Sequence, residues 1–129
     1  MLKGRFDGKT FFWPLRIYYE DTDLSGIVYH ANYLRYMERA RTEFFRALGI
    51  KACYLENADP AAWVLRKVEI EYLKPARFDD HIEVRTTTHS LTGVRLCADQ
   101  AIWRGDAFGE FRRTSASGTN PLCRLCPYY

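Results

Sequence analysis

A single long helical periodicity, set among segments that otherwise alternate, constrains this chain more than any other feature. From Ala31 to Leu48 the apolar residues Tyr33, Leu34, Met37, Ala40, Phe44, Phe45 and Leu48 recur at helical spacing. At about 100° per residue they make one stripe as wide as an amphipathic helix buries. Gly49 supplies the stop. Arg35, Arg39, Thr42, Glu43 and Arg46 take the opposite face, and Asn32 lies near the start, where a short polar side chain caps free backbone donors. Arg41 projects into the stripe, so it must reach a carboxylate or snorkel to water; Glu38, one turn earlier, is its natural partner.

The rest of the chain has the period of strands. Phe12 to Tyr19 alternates, with Leu15, Ile17 and Tyr19 against Arg16 and Tyr18, and Pro14 marks an edge or a strand start. Trp63 to Leu73 alternates again, with Val64, Val68, Ile70 and Tyr72 opposite Lys67, Glu69 and Glu71. Lys74 to Asp80 reads as a turn, and His81 to His89 as a Thr-rich strand carrying Ile82 and Val84. Leu91-Thr92-Gly93 turns the chain, Val94, Leu96, Ala98 and Ile102 make a further strand, and Arg104-Gly105-Asp106 makes the next turn. These strands are expected to follow one another by consecutive hairpins. After Phe111 alternation fades, and about 112–129 reads as an atypical irregular tail, with a short strand over Phe108 to Thr114 as the alternative. One helix must then be covered by one curved antiparallel sheet, an α+β arrangement.

At 129 residues the chain suits one domain, and 47% hydrophobic with 27% charged residues is the balance of an ordinary soluble globule. The longest apolar run, Ala61 to Leu65, is far short of the ~20 residues of a membrane span. The opening MLKGRFDGKTFFWP carries no apolar stretch of signal-peptide length, so a cytoplasmic protein is expected, with Cys53, Cys97, Cys123 and Cys126 as free thiols. A net charge of +3 is compatible with phosphate-bearing ligands but well below that of a dedicated nucleic-acid binder.

The densest polar constellation is Tyr18-Tyr19-Glu20-Asp21-Thr22-Asp23, followed by Ser25-Gly26 and then Tyr29-His30 just before the helix. Clustered acids repel unless a helix terminus, a donor or a ligand compensates. The following helix offers unpaired N–H groups and the positive end of its dipole. A carboxylate there has the parts for acyl transfer, with the free amides receiving a developing oxyanion. The alternative is a solvated acidic loop whose side chains cap a turn. Cys123 and Cys126 form one C-x-x-C without a second pair, and His30, His81 and His89 are scattered, so no metal site is expected. A Gly-rich phosphate loop and a G-x-S-x-G elbow are both lacking.

The run Ile17-Tyr18-Tyr19-Glu20-Asp21-Thr22-Asp23, then Ser25 to Leu34 (SGIVYHANYL) and Met37 to Glu43 (MERARTE), closely resembles the hotdog-fold thioesterases of the YbgC type, relatives of 4-hydroxybenzoyl-CoA thioesterase associated with the Tol–Pal system. Val64 to Asp80 is similar to a second block of that family, and the resemblance is collinear from about Phe12 to Asp106. It implies a hotdog fold, a long central helix wrapped by a curved antiparallel sheet, and hydrolysis of an acyl-CoA thioester. It places the catalytic carboxylate on Asp23, as general base or nucleophile, with Tyr19 and His30 as the family's other site residues and the amide near His30 polarising the carbonyl. No cofactor is implied, coenzyme A being part of the substrate. A homodimer or homotetramer with sites at subunit interfaces is implied, and acyl-carrier protein is an alternative thiol carrier. Lys74, Arg77, Arg85 and Arg95 suit phosphate contacts but read as ordinary surface charges. The rivals are a non-catalytic acyl-CoA or acyl-carrier-protein binding module and a hotdog dehydratase, whose acid and base lie in a different segment.

Overall fold

The computed structural model describes residues 4–49, 67–91, 96–105 and 123–128. Its elements are β1 (Arg5–Asp7), β2 (Thr10–Arg16), a single turn of 3-10 helix at Tyr19–Asp21, α1 (Asn32–Ala47), β3 (Lys67–Tyr72), β4 (His81–Leu91), β5 (Leu96–Arg104) and β6 (Cys123–Tyr128). Trp63 to Arg66, the turn at Thr92-Gly93, Val94, Arg95, Asp106 and the alternative strand over 108–114 lie outside the described residues, as does Cys53.

The helix forms where its periodicity predicts and buries Tyr33, Tyr36, Met37, Ala40, Phe44 and Phe45. The stripe is displaced from the predicted one: Tyr36 is inside, while Leu34 and Leu48 are exposed at its margins. Gly49 ends the helix at φ 75°, a left-handed conformation that glycine adopts without Cβ strain. Its stripe meets the sheet's inner face, where Ile82 and Val84 of β4 and Ile102 of β5 join Ile17, Val28 and Ala76 in one buried cluster. Phe11, Phe44 and Phe45 form a second cluster towards the helix C-terminus.

Among the described residues the six strands form one sheet in the order β1-β2-β4-β5-β6-β3. This corrects two expectations. First, β3 and β4 are not hairpin neighbours, because β3 lies at the far edge, paired with β6 (Ile70 opposite Leu125). The connection between them is occupied elsewhere: the Ala76 carbonyl accepts from Val28 N–H at 2.9 Å, and the Asp80 carbonyl accepts from Ile17 N–H at 2.9 Å. Second, the tail is not irregular throughout, since β6 fills the gap between β5 and β3. Its pairing to β5 is interrupted between Cys97↔Tyr128 and Gln100↔Leu125, a stretch that includes Pro127, which has no N–H to contribute.

Arg41 solves its burial problem differently from the expectation. Its Nη1 donates to Gln100 Oε1 at 2.8 Å, whereas Glu38 accepts from Thr42 Oγ1 at 2.8 Å. Gln100 is fully buried on β5, and its Nε2 donates to the Met37 carbonyl and to Thr86 Oγ1, both at 3.0 Å. A second buried charge lies on the opposite face of the sheet. Glu83, fully buried, accepts from Arg85 Nε at 3.0 Å and Arg5 Nη1 at 3.2 Å. Both guanidinium groups also lie over the Phe12 ring, and that of Arg85 over Trp103. Arg85 is therefore not an ordinary surface charge: it neutralises a carboxylate that would otherwise be costly to bury.

Candidate active site

Each aspartate of the acidic loop finds a backbone donor near itself, which is how the loop tolerates its charge. Asp21 Oδ2 accepts from Tyr18 N–H at 2.8 Å, and Asp23 Oδ1 accepts from Ser25 N–H at 2.8 Å. The chain then folds back: Gly26 N–H donates to the Asp23 carbonyl at 3.0 Å, and Asp23 N–H to the Ile27 carbonyl at 2.9 Å. Gly26 makes that turn at φ 77°, which a side chain would strain. The result is a small clamped loop, extended by the Thr22↔Val28 bridge, that presents the Asp23 side chain to solvent in the segment leading to the helix.

The start of α1, which follows the loop in the chain, carries no side-chain cap. Ala31 occupies the capping position, and the first turn contains no acid. Asn32, expected to cap, instead donates from Nδ2 to the Asp21 carbonyl at 2.9 Å. Among the described residues no side chain caps the amides at this helix end, although the Asn32 N–H is taken by the Tyr29 carbonyl at 2.9 Å.

His30 lines a pocket of about 230 Å³ with Ile27, Val28, Tyr33, Tyr72, Leu73, Lys74 and Pro75. Tyr72 Oη donates to the His30 carbonyl at 3.0 Å, and its ring stands edge-on to the imidazole at 6.2 Å. Ala76 N–H donates to Tyr33 Oη at 2.9 Å, fixing the opposite wall. Tyr19 lies on the surface, edge-on to Phe78 at 6.3 Å. Among the described residues no hydrogen bond joins any two of Tyr19, Asp23 and His30, and neither Tyr19 nor Asp23 lines the His30 pocket. Lys74 stands at that pocket, and a second, more polar groove of about 580 Å³ borders the acidic loop between Arg16 and Arg39.

The Tyr36 phenol is buried near Asp21. Burial first, and then the Asp21 carboxylate, push it above the ordinary tyrosine range, so it stays neutral. Sequence reasoning places Tyr72 on the apolar side of a strand and Asn32 at a cap; their polar tips act across 42 and 11 residues, a relation no local pattern carries. Among the described residues no group of three or more His, Cys, Asp or Glu side chains is placed to hold a metal ion, and no helix is long and apolar enough to cross a membrane.

A profile of the Thioesterase superfamily matches residues 25–107, more than half of the chain. Over 92 residues the chain is 47% identical to the acyl-CoA thioester hydrolase YbgC of Escherichia coli, covering 71% of this chain and 68% of that protein. It is 39% identical over 94 residues to the acyl-CoA thioesterase YbgC of Haemophilus influenzae, covering 73% and 69%. Among solved structures, a probable thioesterase from Bartonella henselae superposes with a TM-score of 0.72 at 30% identity, over 91% of this chain and 86% of that one. An aspartate-to-asparagine mutant of 4-hydroxybenzoyl-CoA thioesterase, complexed with 4-hydroxybenzoyl-CoA, shares the fold with a TM-score of 0.77 at 15% identity, over 94% and 82%. The helix laid across one antiparallel sheet is the hotdog fold, and with these likenesses the chain belongs to the thioesterase superfamily.

Proposed function

We propose that this protein hydrolyses acyl-CoA thioesters to the free acid and coenzyme A, with Asp23 as the reacting carboxylate. One observation carries the reading: a solvent-facing aspartate, steadied on one oxygen by Ser25 N–H, precedes a helix whose N-terminal amides carry no side-chain cap. The likeness to YbgC acyl-CoA thioesterases points to the same reaction.

In the general-base route, Asp23 takes a proton from water as the water oxygen attacks the thioester carbon. The carbonyl oxygen gathers negative charge against the helix amides and dipole, and the C–S bond then breaks to release the CoA thiolate, which takes up a proton. In the nucleophilic route, Asp23 itself attacks, thiolate leaves, and water hydrolyses the resulting anhydride. Both routes require the ionised carboxylate. In this reading His30, which makes no hydrogen bond to Asp23 among the described residues, would donate to the carboxylate or the attacking water in the substrate complex, and Tyr19 would border the bound substrate.

A second copy of the chain completes the site in this reading. Tyr19 is 81% exposed, Leu24 wholly so and Phe78 58% exposed, and Tyr18 and Tyr29 are also uncovered around the same loop. An apolar fringe of this kind suits burial against another subunit. A cytoplasmic setting accords with the free thiol of Cys97.

The test is Asp23→Asn, which keeps shape and removes both base and nucleophile. Free thiol is followed against a panel of short, long and aromatic acyl-CoAs, with acyl-carrier-protein thioesters as a further arm. A fall in turnover of about 10²- to 10⁴-fold is expected, and near-parental turnover overturns the assignment. Tight acyl-CoA binding by the parent protein without thiol release identifies a binding module instead. Light scattering behind size-exclusion chromatography reads the assembly, and an active strict monomer refutes the shared site.

A further inference from the structure

We infer that Asn32 is a positioning residue of this site, holding the Asp23 loop in register with the amides at the start of α1. The inference rests on the reading of Asp23 as the reacting carboxylate. Asn32 is the first residue of the helix, where a short polar side chain ordinarily serves the helix itself. Here the helix receives no side-chain cap, and the Asn32 amide reaches back to the Asp21 carbonyl at 2.9 Å. That same carbonyl accepts from Tyr29 N–H at 3.0 Å, and Asn32 N–H donates to the Tyr29 carbonyl at 2.9 Å. The helix start, the residue that leads into it and the acidic loop therefore converge on one oxygen atom, two residues before Asp23.

From that oxygen the chain reaches Asp23, turns through Gly26 and returns along Ile27 and Val28, bonded to itself at Asp23–Ile27 and bridged at Thr22–Val28. These bonds keep the loop's shape, but all of them run within the loop. The Asn32 amide runs from the helix to the loop, so it sets where the loop stands relative to the helix amides. Only a donor of this length serves: the acceptor is a carbonyl, and a shorter side chain leaves the gap open. A reacting group displaced by about 1 Å loses up to about 100-fold in rate, which makes such a link consequential without its touching substrate.

The experiment is a double-mutant cycle of Asn32→Ala with Asp23→Asn in the full chain, reading kcat and KM for an acyl-CoA that the parent turns over. In the parent background Asn32→Ala is expected to lower kcat by about 10- to 100-fold with KM nearly unchanged. In the Asp23→Asn background the same change is expected to add little, because the carboxylate it positions is gone. Asn32→Ser, still polar but too short to reach the carbonyl, should reproduce the loss of kcat with the far-UV spectrum of the parent and a melting temperature lowered only by the single hydrogen bond removed. That variant keeps the test decisive if Asn32→Ala folds poorly. Parental kcat in Asn32→Ser, or an equal loss factor in both backgrounds, overturns the positioning role while leaving Asp23 in place. Parental kcat in Asp23→Asn overturns the site reading itself and the positioning role with it.

Discussion

Replacing Gln100 with leucine tests how the helix is fixed on the sheet. Gln100 is completely buried and makes three bonds: it accepts from the Arg41 guanidinium at 2.8 Å and donates to the Met37 carbonyl and Thr86 Oγ1 at 3.0 Å. The bond from the charged donor is worth about 1.5–3 kcal/mol, and that to Thr86 about 1 kcal/mol. The Met37 carbonyl adds less, because it sits inside α1 and keeps its place in the helical ladder. Leucine fills much of the same volume and returns part of the loss through apolar burial, leaving a net destabilisation of about 2–4 kcal/mol. That is a large share of the ~5–15 kcal/mol that holds a typical domain folded. Urea unfolding at fixed protein concentration, followed by tryptophan fluorescence, should show the midpoint falling by about 1–2 M at an ordinary slope. Adding Arg41→Met should recover about 1 kcal/mol or more, since the guanidinium no longer lacks the acceptor it reached. A Gln100→Leu midpoint equal to the parent's, or strict additivity of the two changes, refutes the account of Arg41 and Gln100 as a coupled pair.

The Tyr36 phenol is raised in the folded state, so ionisation in the unfolded chain near its ordinary value of about 10 favours unfolding above that pH. Stability should be level in this respect below about pH 10 and then fall by ~1.4 kcal/mol per pH unit; Tyr36→Phe should flatten that limb in urea titrations at pH 9–11. Arg85→Lys keeps the charge on Glu83 but loses the planar contact with Trp103 and Phe12, and should cost about 1–2 kcal/mol in thermal unfolding; a variant as stable as the parent would show that charge alone suffices. Leu125 of β6 stands opposite both Ile70 and Gln100, so Leu125→Pro removes an N–H from a strand bonded on two sides. It should cost about 3 kcal/mol or more and raise amide exchange in β3; exchange unchanged there would argue against the placement of β6.

The helix was legible because one-sided periodicity is a property of neighbouring residues, and the margin errors at Leu34, Tyr36 and Leu48 reflect which side of the stripe the sheet reaches. The β6 strand was illegible for the converse reason. Cys123–Tyr128 shows no polar–apolar alternation, carries Pro127, and is defined by its pairing with β5 and β3, partners far away in the chain. Glu83 and Arg85 look like any alternating surface charges until the pleat brings Phe12 and Trp103 beside them. The acidic loop and the helix mouth could be picked out as one region because they are contiguous in sequence. What holds them, Tyr72 on His30 and Asn32 on Asp21, is tertiary and had to be seen.

If the start of α1 receives the thioester oxygen as proposed, its lack of a side-chain cap sets stability and activity against each other. An engineer seeking a more robust protein would try Asp or Ser at Ala31, a cap worth about 0.5–2 kcal/mol at an ordinary helix end, which here would also need the helical backbone of Ala31 (φ −71°, ψ −20°) to become extended. On the proposed mechanism that carboxylate or hydroxyl would compete with the thioester oxygen for those amides, and the more stable variant would be the slower one. On that mechanism Ala31 trades stability for turnover, and a library screened for melting temperature alone would select against turnover at this position.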